Sequence, residues 1–159
     1  MSKIHGVSAS ITVAAVLLVA ASAGAAITTS YGATNCVQEI TLSPTIVYQG
    51  SRASTTSASS AFFACPGIQQ GGLVVTAKVS GRDLSSSAGV TCHIETKDPF
   101  DGTGSFGGSV TSVGLGNFTL NLPPPAAFFA AGSKLVRCTM PPSGGPDGSS
   151  IGSYLITEA

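Results

Sequence analysis

The sequence predicts an all-β protein: an antiparallel β-sandwich of about 7–8 short strands, stapled by two disulfides and preceded by a cleaved signal peptide. Three observations carry this expectation. Apolar residues recur with period two, and no segment shows a convincing 3.6-residue period. Glycine- and proline-containing turn signals punctuate the alternating runs at short intervals. Four cysteines, an even number, all lie beyond the leader-like N-terminus. Without helices to carry crossovers, neighbouring strands pair antiparallel, and a second sheet must cover the apolar face that the first would leave wet.

Residues 1–25 read as a secretory signal peptide. Lys3 and His5 form a basic start without an acid, Ile11 to Ala20 is an apolar stretch, and Ala21-Ser22-Ala23-Gly24-Ala25-Ala26 offers A-x-A cleavage frames after Ala23 and after Ala25. The competing reading is an uncleaved anchor, since the apolar run stretches to about 17 residues; an exit end built of Ala, Ser and Gly favours cleavage. Ala33-Thr34-Asn35 before Cys36 lacks the Leu-plus-small approach of a lipid-attachment site. The expected destination is secreted, periplasmic or extracellular. Residues 26–159 then form a single secreted β-sandwich domain, with no membrane span in the mature chain, because Pro123-Pro124-Pro125 interrupts the best later candidate.

The strands follow in order. Thr45–Gln49 and Ser59–Cys65 are short runs of β-forming residues. In Leu73–Ser80, Leu73, Val75, Ala77 and Val79 share one face, and Thr76, Lys78 and Ser80 the other. In Val90–Lys97 the inward set is Val90, Cys92 and Ile94, and the outward, polar set is Thr91, His93, Glu95 and Lys97. Ser109–Val113, Asn117–Leu122, Lys134–Met140 and Ile151–Thr157 complete the list. Pro66-Gly67, Gly71-Gly72, Asp101-Gly102, Gly114 with Gly116, and the stretch from Pro141 to Gly148 separate them. Ala126 to Ala131, bracketed by prolines and Gly132, reads as a loop carrying buried aromatics.

Export brings Cys36, Cys65, Cys92 and Cys138 into an oxidising compartment, where disulfides form and persist. Zinc is the alternative, but no C-x2-4-C pair is present, so each ligand would come from a separate element. Four cysteines allow three connectivities, and the sequence does not choose among them. The preferred pairing is Cys36–Cys65 and Cys92–Cys138. Cys92 shares its inward face with Val90 and Ile94, and Cys138 shares one with Val136 and Met140. In a chain without Trp, bridges inside the sandwich would also fill core.

A pattern joins these positions: Ser30-Tyr31 ahead of Cys36, then Cys65-Pro66, Val90-Thr91-Cys92, Cys138-Thr139-Met140-Pro141-Pro142 and a closing Ser153-Tyr154. In this layout the chain resembles a group of small secreted bacterial proteins of unknown function with four cysteines in that order. The resemblance implies a secreted β-rich domain and supplies no activity, ligand or functional residue. The Asp98–Gly108 turn and the Pro123–Ala131 insert depart from it.

Charge and candidate chemistry narrow the function classes. Seven basic and seven acidic residues give a formal net charge of zero, and only 9% of the chain is charged. Loss of Lys3 with the leader leaves six bases against seven acids. That balance gives nucleic acid no overall electrostatic attraction. Gly102-Thr103-Gly104-Ser105-Phe106-Gly107 matches G-x-G-x-x-G and looks like a kinase glycine-rich loop, but lacks the strand-borne Lys, catalytic-loop Asp and metal-binding motif that would accompany it; it reads as a hairpin loop. Asp98 and Asp101 flank a turn where a carboxylate normally bonds its own backbone, and two acids are few for calcium. His93, the one histidine beyond the leader, sits on an alternating polar face without a G-x-S-x-G elbow. Glu39, Asp83, Glu95, Asp98, Asp101, Asp147 and Glu158 are scattered, with no pair suggested for glycosidase chemistry. Asn117-Phe118-Thr119 is a formal glycosylation sequon that is incidental in a bacterial chain. Of the adjacent Phe62 and Phe63, one must face outward; Phe128 and Phe129 form a second doublet. The sequence therefore assigns no catalytic, cofactor-binding or metal-ligating residue. It points to a non-catalytic extracellular or envelope-associated structural or binding module. The alternatives are a glycan- or protein-binding adhesion domain and a small secreted hydrolase or inhibitor.

Overall fold

The computed structural model describes residues 26–39, 46–56, 58–67, 72–127, 129, 132–143 and 148–159; the predicted signal peptide, Thr45, Phe128 and Asp147 lie outside them. Among the described residues, twelve strands build two antiparallel sheets facing each other as a sandwich. The front sheet has the order β10 (Gly116–Leu122), β6 (Val74–Asp83), β12 (Ser150–Glu158), β4 (Arg52–Thr55), β3 (Ile46–Gln49). Strand β1 (Ile27–Gly32) joins it beside the C-terminal half of β12, in line with β4 beside the N-terminal half. The back sheet runs β2 (Val37–Gln38), β5 (Ala61–Gly67), β11 (Ser133–Met140), β7 (Thr91–Lys97), β8 (Gly104–Phe106), with β9 (Val110–Thr111) on the open end of β7.

The fold class matches the expectation, and the strand count exceeds it. β1, β2, β4 and β8 were not foreseen. The inward residues of β4 are Ala53 and Thr55, both fully buried, so this strand carries almost no hydrophobic signal. It forms because Gly50, at φ 60°, closes a two-residue turn that folds β4 back on β3, with Gln49 opposite Arg52. β1 is equally polar and is held by pairing with β12, which sets Tyr31 opposite Tyr154 with the rings stacked 4.9 Å apart. In β6 the expected alternation holds for Ala77 and Val79. A register shift against β12 between Thr76 and Val74 then puts Val74 in the core and leaves Leu73 exposed.

The core lies between the sheets, where Phe63, Val79, Ile94, Val136, Ile151 and Tyr154 are fully buried. Disulfides join Cys36 to Cys65 and Cys92 to Cys138, and all four sulfurs face this core. Each bridge staples neighbours within the back sheet: Cys92 and Cys138 are directly opposite each other on β7 and β11, and β2, which follows Cys36, pairs with β5. The sheets are tied to each other by polar groups instead. Tyr154 Oη on β12 donates to the Pro66 carbonyl on β5 at 2.6 Å. Burial, with Tyr31 alongside, pushes the Tyr154 hydroxyl up to about 12, so it remains a donor throughout the physiological range. Lys134 on β11 and Glu158 on β12 form a buried ion pair at 2.6 Å, completed by the backbone of Gly72, whose carbonyl accepts from Lys134 Nζ and whose N–H donates to Glu158 Oε2.

Candidate functional site

Most of the residues considered for chemistry prove to hold structure. The glycine-rich segment forms the β7–β8 hairpin, closed by Asp98 N–H to Thr103 carbonyl and Gly102 N–H to Asp98 carbonyl bonds. Asp98 and Asp101 cap that turn, accepting from the N–H groups of Phe100 at 2.7 Å and Thr103 at 2.8 Å. The Thr103 contacts hold the Asp101 carboxyl below its ordinary range. Phe63 is buried and Phe62 is 40% exposed, the split that adjacent strand positions require.

Glu95 departs from its expected place among solvent-facing residues: it is on the outer face of β7 yet only 1% exposed. Arg137, from β11, covers it with Nε 2.8 Å from Oε2, while Lys97 lies 3.7 Å from Oε1. Arg137 also reaches Glu39 at 2.7 Å, so four charges from three parts of the chain neutralise one another across the back sheet. His93 lies opposite Arg137 and meets the edge of Phe106 at 5.7 Å. Its Nε2 has no hydrogen-bond partner among the described residues. Burial lowers its pKa, against the opposing pull of Glu95.

Asp83, at the inward end of β6, is 1% exposed. Its Oδ1 accepts from Ser85 N–H at 3.0 Å and Ser149 Oγ at 2.9 Å. Its Oδ2 accepts from Val90 N–H at 3.3 Å and from Ser112 Oγ. Burial pushes this carboxyl up, but the bonds from Ser112, Ser85, Ser149 and Val90 outweigh it and hold the pKa below its ordinary value of 3.8. These four bonds serve the fold, pinning the 84–90 loop to Ser112, just past β9, and to Ser149, just before β12. Because the folded-state pKa is depressed, this stabilisation is present above pH 3.8 and fades as the pH falls through the folded value. Asp83→Asn should cost about 2 kcal/mol at pH 7, because two serine or amide donors lose a charged acceptor. Urea unfolding at successively lower pH should show the gap between variant and parent narrowing below pH 3.8. A constant gap would count against the carboxylate.

The surface that remains unassigned is the outer face of the front sheet. Cross-strand neighbours share a face, so the register lays out rows of side chains. One row is Asn117–Arg82–Ser150–Ser54, crossing β10, β6, β12 and β4. The next is Thr119–Ser80–Ser153, in which the Thr119 and Ser80 hydroxyls are 3.2 Å apart. A third is Asn121–Lys78–Leu155–Ser30, and a fourth is Thr76–Thr157–Thr28. The alternation of the strands places their apolar residues largely in the core, and the outer residues are mostly hydroxyl, amide or cation, with Leu155 and Val47 as apolar members.

Two adjoining hollows mark this face, of about 330 and 420 Å3, and they share Arg52, Arg82 and Ser150. The register explains them. Ile151 pairs with Gly81 and Ser153 with Ser80, so Gly152 is an extra residue bulged between them. With no side chain at the bulge, the sheet is dished between Arg52 and Ser80. The sequence marked Asn117 and Thr119 only as a sequon and Ser153 only within a motif, and the outward halves of three predicted strands, with Lys78, Ser80, Asn117, Thr119 and Ser153, form part of the site. The missing signals were the two-residue turn that creates β4 and the bulge at Gly152.

Fold and surface together define an antiparallel β-sandwich with a dished, polar, cationic outer sheet. No family model matches the chain, and no curated protein sequence matches it. Among solved structures it is similar to a mutant of a carbohydrate binding module family 29, with a TM-score of 0.47 and 10% identity over 83% of this chain and 92% of that chain. It is also similar to TmCBM61 in complex with beta-1,4-galactotriose, with a TM-score of 0.36 and 9% identity over 85% of each chain. Similarities this distant transfer neither a residue nor a ligand to this chain.

Proposed function

We propose that the chain is a secreted, non-catalytic binding module that holds a carbohydrate on the outer face of its front sheet. The observation that carries this reading is the pair of joined hollows around Arg52, Arg82 and Ser150, lined mainly by Ser and Thr with the amides Asn117 and Gln49, and bordered by Phe118 and Leu84. Sugar hydroxyls both donate and accept. A wall of Ser, Thr and Asn side chains matches them with groups that do the same, and a strand-borne platform keeps those groups in fixed rows. Two disulfides fit a protein working in an oxidising compartment.

Affinity electrophoresis of the exported protein against a panel of soluble polysaccharides tests this directly. Retardation by at least one of them should disappear in Ser153→Trp, which fills the dish, and persist in Phe62→Ala on the opposite sheet. Retardation lost in Phe62→Ala and kept in Ser153→Trp would move the site to the back sheet. Phe62 and Phe106 are exposed there by 40% and 54%, a pair that favours a protein-docking reading as second choice.

A further inference from the structure

We infer that the carbohydrate on the front face is an acidic polysaccharide, its carboxylate or sulfate groups held by Arg52, Arg82 and Lys78. This rests on the carbohydrate-binding reading above and deepens it. The carrying observation is how the charges are distributed. Of the six basic residues beyond the leader, Lys97, Lys134 and Arg137 are in ion pairs. The other three, Arg52, Lys78 and Arg82, are exposed, make no ion pair with a described residue, and all belong to the front sheet with outward register.

The acids are elsewhere. Glu39 and Glu95 are neutralised on the back sheet, Glu158 is buried against Lys134, Asp83 is buried among serines, and Asp98 and Asp101 cap the hairpin. Among the described residues, the outer front face therefore carries three cations and no carboxylate. Among the described residues, a protein whose charges nearly cancel overall concentrates its unpaired positive charge on this dished surface. Such a field draws in polyanions and repels cations.

The spacing selects an extended anion over a small one. Arg52 stands two strand spacings from Arg82 and two residues along from its row, roughly 12 Å away, and Lys78 is four residues along β6 from Arg82, roughly 13 Å away. A single phosphate or sulfate ion cannot touch all three, whereas a chain with repeated charges can. Between the cations lie the half-buried Ser80 and Ser153, which suit the hydroxyls of intervening sugars. Nucleic acid is the other common polyanion, but single-strand binding depends on aromatic platforms for the bases. The outward rows given for this face contain no aromatic side chain, and Phe118, which borders one hollow, is packed against the core.

Isothermal titration of the exported protein with oligomers of a polyuronate, the same oligomers methyl-esterified, a sulfated glycan, and single-stranded DNA tests the inference. The acidic saccharides should bind, with affinity falling as salt is raised. Esterification should weaken binding at least tenfold, as should Arg52→Gln combined with Arg82→Gln, and Arg82→Glu should abolish it. Unchanged thermal midpoints in these surface variants would confirm that they fold. Equal binding of charged and esterified oligomers, unaffected by the arginine variants, would overturn the inference and leave the carbohydrate reading standing. DNA binding without saccharide binding, or no binding of any saccharide, would overturn both.

Discussion

Lys134→Met should lower the unfolding free energy by about 3–5 kcal/mol, the largest single-residue loss expected in this protein. Lys134 lies on the inward face of β11 with Val136, Cys138 and Met140, and its side chain is fully buried. Its partner Glu158 belongs to the facing sheet, so the ion pair crosses the interior at one end of the sandwich. Removing the ammonium leaves a buried carboxylate that keeps the Gly72 N–H bond but has lost its counter-charge, and deprives the Gly72 carbonyl of its donor. A total stability in the ordinary range of about 5–15 kcal/mol leaves little margin after such a loss. The double variant Lys134→Met/Glu158→Leu removes both charges and should recover most of it, since replacing a buried pair with apolar groups is often close to neutral. Recovery should stop short of the parent because the Gly72 backbone groups stay unsatisfied, at about 1–3 kcal/mol each. Guanidinium unfolding of the single and double variants measures both quantities. A double variant no more stable than Lys134→Met would show that packing at this end, and not an orphaned charge, sets the cost.

The second large effect is the loss of the Cys92–Cys138 bridge. Cys92→Ala/Cys138→Ala should cost about 4 kcal/mol in the chain-entropy account, since the bridge spans 46 residues. The corresponding pair at Cys36 and Cys65, closing 29 residues, should cost about 3.5 kcal/mol. In the folded state Cys92 and Cys138 sit opposite each other on strands whose hydrogen-bonded register already runs from Ser133 opposite Lys97 to Thr139 opposite Thr91. The folded variant should therefore keep its sheet, and the loss should come mainly from a less restricted unfolded chain. Chemical denaturation of the oxidised parent and the double variant decides this. A loss under 1 kcal/mol, or a collapse of the native β-sheet signal, would each contradict it.

The residues that now define the candidate site show why sequence reasoning reached the fold more readily than the surface. Cys92, Val136, Cys138 and Met140 were assigned inward from alternation alone, and all four are buried. Extending the same parity by one step would have put Lys134 inward as well, and counting on from Ile156 would have done the same for Glu158; a lysine and a glutamate both pointing into a core must meet something of opposite charge. Glu95 is different. Alternation placed it outward, where it is, but could not foresee that Arg137 from another strand would seal it from water. Arg52 was invisible because its strand has only Ala53 and Thr55 to bury, too little apolar surface to register as a pattern.

What the sequence determined by itself was the opening picture of alternating strands, turns and inward cysteines, because period-two side-chain placement is a local property of extended backbone. What the tertiary structure decided was which strands became neighbours. β4, β6, β10 and β12 come from widely separated parts of the chain, yet they lie side by side in one sheet. Their outward residues thus gather Arg52, Lys78 and Arg82 on one face, while the described acids of the same sheet, Asp83 and Glu158, are buried. Parity says which way a side chain points; only long-range strand pairing says what stands beside it, and a binding surface is made of such neighbours.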